Sequence, residues 1–336
     1  MPGKGTKTLG AILSAAAVIC SIFGPCRADP ASGSGTSPQI QAEKTESRQT
    51  ALRAMDKLMD GDLDGATAGF RRIEQSDPES PLGYLLEADA SWWKIYLTEG
   101  DLVDPDVFEA RSEATTPYDE DFKRSDELAI RKAEIHLHAH QDEAGNYFSE
   151  GLAYGLRSQL EALRDHALAT ARAGKKLRNL SLEALKLDPN LNDAWFGVGL
   201  YNYFVDTLPT YVKMLRFLIM LPGGDRVEGL RQMEQAMNKG QLVAAEARFH
   251  LGKNYSRPFD RQYARSLELF RQLQRQYPHN PLWDLLVGSV ELRLGQDKEG
   301  EALYRKVLAE TANPKADIWI PLHQQAERAL ARRSGR

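Results

Sequence analysis

Only two cysteines occur in the 336 residues, Cys20 and Cys26, and both lie within the first 28. A chain processed beyond them has no thiol, which excludes disulfides, thiolate catalysis and cysteine-held zinc together. Strand signals are missing too: no sustained run alternates β-branched with polar residues, so neither a sandwich nor a barrel is indicated. The signatures G-x-S-x-G, G-x4-G-K-[ST] and a strand leading into G-x-G-x-x-G are also absent. Positive charge does not dominate, with 43 Lys and Arg against 47 Asp and Glu. The one compact basic cluster, Lys175-Lys176-Leu177-Arg178, is short enough to be a solvated helix face, so no nucleic-acid partner is expected.

What is present begins with a secretory pattern. Lys4 and Lys7 precede an apolar run from Leu9 to Phe23, and Cys26-Arg27-Ala28 resembles a signal-peptidase site. Residues 1–28 are therefore expected to be a signal peptide cleaved after Ala28, placing the protein in the periplasm or cell envelope; an uncleaved anchor is the alternative. A lipoprotein cysteine would follow a small residue, but Cys20 follows Ile19 and Cys26 follows Pro25. Removing Lys4, Lys7 and Arg27 and no acid leaves 40 basic against 47 acidic residues, a net charge of −7. Asp29 to Lys44, DPASGSGTSPQIQAEK, is rich in Ser, Gly and Pro, and a flexible linker is expected over 29–46.

From about Ser47 onward, apolar residues recur at three and four, as in Leu52, Met55 and Leu58, then Phe70 and Ile73. The chain reads as all-α. It also repeats itself. Phe70 and Pro78 stand eight apart, as do Phe270 and Pro278, and Trp195 and Trp283 follow Pro189 and Pro278 by six and five residues. Trp195, Val198, Gly199 and Asn202 fit the spacing W-x2-L-G-x2-Y, while Leu251-Gly252 with Tyr255, and Gly151 with Tyr154, fit its later part. This pattern resembles the tetratricopeptide repeat, a helix-turn-helix unit of about 34 residues. The resemblance implies a right-handed superhelix of antiparallel helix pairs, in which Gly199 and Gly252 leave room for the second helix of each pair. Gly197, in the same stretch WFGVGLYNYF, has no such assignment.

Three segments depart from the repeat. Gly151 and Pro189 are 38 residues apart where the repeat has about 24, so either a helix is extended there or an insert is present. An acidic insertion is expected over 99–125, broken by Pro105 and Pro117, serving as a lid or simply as a solvated excursion. After Asn202 comes DTLPTYVKMLRFLIMLPGGDR, where Pro209 and Pro222 bracket an apolar helix. The motif LPGGDRVEGL resembles one shared by some exported bacterial tetratricopeptide proteins and the eukaryotic tetratricopeptide-39 and inclusion-body-clearance group. Val212 to Leu221 is too short to span a bilayer; it either fills the core or makes a peripheral contact with a membrane or partner. The remaining expected divisions are helix pairs over 47–98, helical repeats over 126–316 and a C-terminal helix over 317–336.

His136 and His140 share a helix face at i, i+4, with His138 between them. No third ligand is in register and HEXXH is absent, so solvated or capping histidines are the plainer reading and neither a metal nor a cofactor is expected. Without a catalytic constellation, an enzyme is not expected. The tetratricopeptide resemblance instead implies a concave groove for a protein or peptide, lined from the first helix of each pair. Carried over from Trp195, it names Asp193, Phe196, Leu200 and Tyr203; from Leu251-Gly252, Glu246, Phe249 and Lys253; from Trp283, Asp284 and Gly288. Phe196, Tyr203 and Phe249 are then expected to be exposed anchors for a partner. The function implied is an exported interaction scaffold, with a membrane-peripheral or lipid-handling protein as the alternative and a metal-dependent enzyme less favoured.

Overall fold

The computed structural model describes residues 38–98, 102–103, 114–208, 220–312 and 317–334. The expected signal peptide, most of the acidic insertion and most of Val212 to Leu221 lie outside these residues. The chain divides into two compact units, Met1–Gln41 and Ala42–Arg336, and the architecture below is that of the second. Every regular element among the described residues is helical, and none of those residues forms a strand.

The helices are α1 (Pro38–Met59), α2 (Leu63–Ser76), α3 (Pro81–Thr98), α4 (Asp119–His138), α5 (Glu143–Leu163), α6 (Ala167–Leu187) and α7 (Ala194–Thr207). There follow α8 (Arg226–Lys239), α9 (Ala244–Ser256), α10 (Tyr263–Gln276), α11 (Pro281–Arg293), α12 (Asp297–Glu310), a 3-10 turn (Asp317–Trp319) and α13 (Ile320–Ser334). From α2 to α7, and again from α8 to α13, each helix packs on the next, and α7 packs on α8. The result is a sequence of helix pairs, as a helical repeat requires. Two expected boundaries move: helix already covers 38–46 of the expected linker, and α4 begins at Asp119, inside the stretch assigned to the insertion.

Prolines set several helix ends. The residue before a proline is pushed out of the helical region, and Asp77, Asp188 and Tyr277, each followed by proline, take extended ψ values of 79°, 95° and 69°. Their N–H groups still bond back to Ile73, Ala184 and Leu273 at 2.8 Å, closing the final turn. Starts are capped: Asp62 accepts from the N–H of Gly65, Asp225 from Glu228 and Asn280 from Leu282. The long interval between Gly151 and Pro189 resolves into extended helices, since α5 and α6 each run 21 residues.

Helices of two kinds alternate. The outer ones, such as α6 and α10, bury a single stripe: Ala173, Leu177, Ser181, Ala184 and Leu185 in α6, and Ser266, Leu267, Leu269, Phe270 and Leu273 in α10. The inner helices α3, α5, α7, α9 and α11 are buried on nearly every face; in α11 this includes every residue from Pro281 to Glu291. A helix apolar all round is one surrounded by protein. Glycines let these rows approach. A methyl group at Gly199 would stand 2.8 Å from the Gly229 carbonyl oxygen, and one at Gly229 only 2.6 Å from the Tyr203 nitrogen, so α7 and α8 cross glycine on glycine. Gly197, two residues before Gly199, faces α6 instead: a methyl there would lie 2.5 Å from both Leu177 Cδ1 and Ser181 Oγ.

An open repeat array has contacts only between neighbouring units. Here the first helices also meet the last. The Met59 carbonyl at the end of α1 accepts from Asn280 Nδ2 and Trp283 Nε1, both at 2.9 Å, while Tyr277 OH donates to Asp56 at 3.0 Å. The 3-10 turn and α13 pack on α3.

Candidate functional site

The eight side chains expected to line an open groove are all buried, between 0 and 5 % exposed. Phe196 packs edge-on to the His250 ring at 5.4 Å, and Leu200 lies in the core cluster. Tyr203 donates its hydroxyl to Asp260 Oδ2 at 2.7 Å. One oxygen of Asp193 accepts the N–H groups of Gln241, Leu242 and Val243 at 2.8, 2.8 and 3.0 Å, tying α7 to the start of α9. Asp284 turns toward the outer helices, where it meets Gln274 at 2.6 Å and Lys306 at 2.8 Å, and Gly288 packs on Gly300 and Tyr304 of α12. The expectation of exposed aromatic anchors is therefore corrected, because the chain's own inner helices cover them.

Over Phe249 and Lys253 the covering element is α3. Its residues Asp89, Trp93 and Tyr96 stand one and then nearly two turns apart on one face, as Glu246, His250 and Lys253 do on α9. The two rows meet in step. Asp89 and Glu246 repel one another. Trp93 and Phe249 have ring centroids 5.1 Å apart, and Lys253 Nζ lies 6.0 Å from the Tyr96 ring centre. Trp283 of α11 closes the cluster, 6.2 Å from Trp93 and 6.0 Å from Phe249. At the far end Lys253 Nζ donates to the Leu102 carbonyl at 2.7 Å, and the Leu102 N–H donates to Gln325 Oε1 of α13 at 2.9 Å.

This interior is polar at one end without being satisfied there. Asp89 Oδ1, Glu246 Oε1, Trp93 Nε1 and His250 Nε2 are all buried and have no hydrogen-bond partner. Burial raises the pKa of Asp89, and burial followed by repulsion from Asp89 raises that of Glu246. Burial, followed by the charge of Lys253, depresses His250 to about 3, so its imidazole is neutral at physiological pH. Two buried acids side by side favour their protonated forms. Asp89 and His250 were not singled out from sequence, although an aspartate inside PLGYLLEADASWWKIYL, otherwise almost wholly apolar, was a visible signal.

The other sequence candidates separate. His136 bonds Gln141 Oε1 at 2.8 Å and the Glu79 carbonyl at 3.0 Å, and His140 bonds Glu143 at 2.6 Å. Among the described residues no three His, Cys, Asp or Glu side chains gather where they could hold a metal ion. The GGDR turn proves architectural: Gly224 stands where a methyl would meet the Asn202 carbonyl at 2.4 Å, Asp225 caps α8, and Arg226 pairs with Asp260. No helix among the described residues is long and apolar enough to cross a membrane. No model of a known protein family matches the chain, and no curated protein matches it.

Proposed function

We propose that this chain is an exported interaction protein of tetratricopeptide type, which recognises a protein or peptide and does not turn over a substrate. The observation that carries the reading is the alternation of one-striped outer helices with an inner row whose aromatic side chains accept rings from a neighbouring helix. Trp93 and Tyr96 lie on Phe249, at 5.1 and 5.7 Å between ring centres, as anchor residues of a docked segment would. A partner engages the ends of this row, where α7, α9 and α11 lead into their loops. Cross-linking the full chain to partners in its own cell envelope, then mapping the linked residues, tests this. Links concentrated at those helix ends support the reading; links confined to the outer stripes of α2, α6 and α10 overturn it. The same preparation reports on export, since N-terminal sequencing should find Asp29 first.

A second reading, peripheral membrane contact, has its own observation. Met220 is 76 % exposed, Val227 70 % and Phe259 57 %, and Arg226 ties the latter two together by donating to the Phe259 carbonyl at 3.1 Å. Such side chains favour an apolar interface. Flotation with anionic liposomes, lost on Val227→Asp with Phe259→Asp, would support it, and absence of flotation would remove it.

A further inference from the structure

Asp89 and Glu246 come from helices far apart in the chain, are 4 and 2 % exposed, and lie one turn before Trp93 and Phe249, whose ring centres are 5.1 Å apart. Asp89 Oδ1 and Glu246 Oε1 are buried there without a hydrogen-bond partner. We infer that they form a proton-dependent latch between α3 and α9: while the pair holds a proton the helices stay joined across the interior, and loss of the last proton drives them apart. The inference does not depend on what the protein binds.

Charged groups on the surrounding elements do not relieve the pair. On α3 itself, Glu87 is held by Arg71 at 2.9 Å and the Ser125 hydroxyl at 2.8 Å. On α9, His250 is neutral and Lys253 is engaged with the Leu102 carbonyl, about two turns from Glu246. Asp193 of α7 is occupied by three N–H groups, Asp284 of α11 by Gln274 and Lys306, and Glu291 of α11 by Arg271. Glu74 of α2 and Glu150 of α5 interact instead with other charges, Glu74 with Glu87, Arg71 and Arg124 and Glu150 with Glu134 and Lys176. Two ionised carboxylates buried together are strongly disfavoured, and a proton is the simplest agent that neutralises them.

The sign follows from the direction of the shifts. Acids whose folded values are raised bind protons more tightly in the folded state, so their contribution is intact below the ordinary carboxylate range of about 4 and is lost as pH climbs through the raised values. Opening between α3 and α9 would release Trp93 and Tyr96 from Phe249 and uncover the inner row.

Amide hydrogen exchange of the full chain, corrected for intrinsic rates, reads this directly. Between about pH 6 and pH 8.5, protection in α3 and α9 should fall by about tenfold or more, since one proton per pH unit is a factor of ten. Asp89→Asn and Glu246→Gln should each flatten the fall, and the double variant should abolish it while folding normally at about pH 5, because the amides mimic the protonated acids. Unchanged protection in the wild-type protein overturns the latch, as does an equal fall in the double variant. A double variant unfolded at about pH 5 also overturns it. So does protection restored at about pH 8.5 by sodium or ammonium at constant ionic strength, which would show that a bound cation neutralises the pair.

Discussion

A glycine inside a helix costs about 1 kcal/mol relative to alanine, and α7 carries two because it is squeezed from two sides. The crossing at Gly199 was legible in the sequence, since its spacing from Trp195 marks the close approach of the paired helix. Gly197 was not, because its neighbours Leu177 and Ser181 belong to the preceding helix and no local pattern points to them. The structure also ranks the glycines. At Gly199 the obstacles are backbone atoms of Gly229 and Met233, whereas at Gly252 the nearest atoms belong to the Phe270 ring, which can tilt. Leucine at 199 is expected to lower stability by about 1–3 kcal/mol, and Gly252→Ala should cost less than Gly199→Ala. Urea midpoints of the variants decide it; equal losses would mean that the backbone contact is not the limiting one. Phe249, enclosed by Trp93, Tyr96, His250 and Trp283, behaves as core, and Phe249→Ala should cost about 3–5 kcal/mol.

At the scale of elements, helix ends were the most readable feature, because prolines 78, 189 and 278 fix the backbone just before them whatever the tertiary context. The start of α4 was hidden. The run PYDEDFKRSD reads as a solvated acidic excursion, and what converts it to a helix is a distant arginine: Arg164, at the end of α5, holds both oxygens of Asp119 at 2.8 and 2.9 Å with both side chains buried. Thr116 adds its N–H at 2.8 Å and its hydroxyl at 2.7 Å. Burial opposes the charged form of Asp119, but the Thr116 bonds and Arg164 outweigh it and hold the carboxyl below its usual value. Removing one member of such a pair strands the other, so Arg164→Ala should cost about 3–5 kcal/mol. The sign with pH is opposite to that of the latch. A lowered acid stabilises above the ordinary carboxylate range and stops doing so as pH falls through its folded value. Thermal unfolding of wild type and Asp119→Asn should therefore converge in acid and separate near neutrality.

For the whole molecule, the helical class and the membership of the inner helices were legible, but the covering of that row was not. Spacing within a repeat says which side chains share a face; whether that face meets solvent depends on contacts between residues far apart, such as Lys253 with Leu102 or Trp283 with Met59, separated by 151 and 224 positions. These contacts have a thermodynamic consequence. In an open array stability is a sum over neighbours, and terminal units fray independently. Here the end of α1 is bound to the start of α11, so fraying at one terminus must break contacts at the other, and unfolding should be a single cooperative transition. The bond donors to the Met59 carbonyl are separable from packing: Trp283→Phe keeps a ring and loses the N–H, and Asn280→Ala removes the second donor together with a helix cap worth about 1 kcal/mol. With both changes, exchange protection in Ala51–Met59 should fall well below that of α7, and the denaturant slope should decrease as the transition loses cooperativity. Equal loss of protection in α1 and α7, with an unchanged slope, would show that helix-to-helix packing along the chain, and not this closure, couples the two ends.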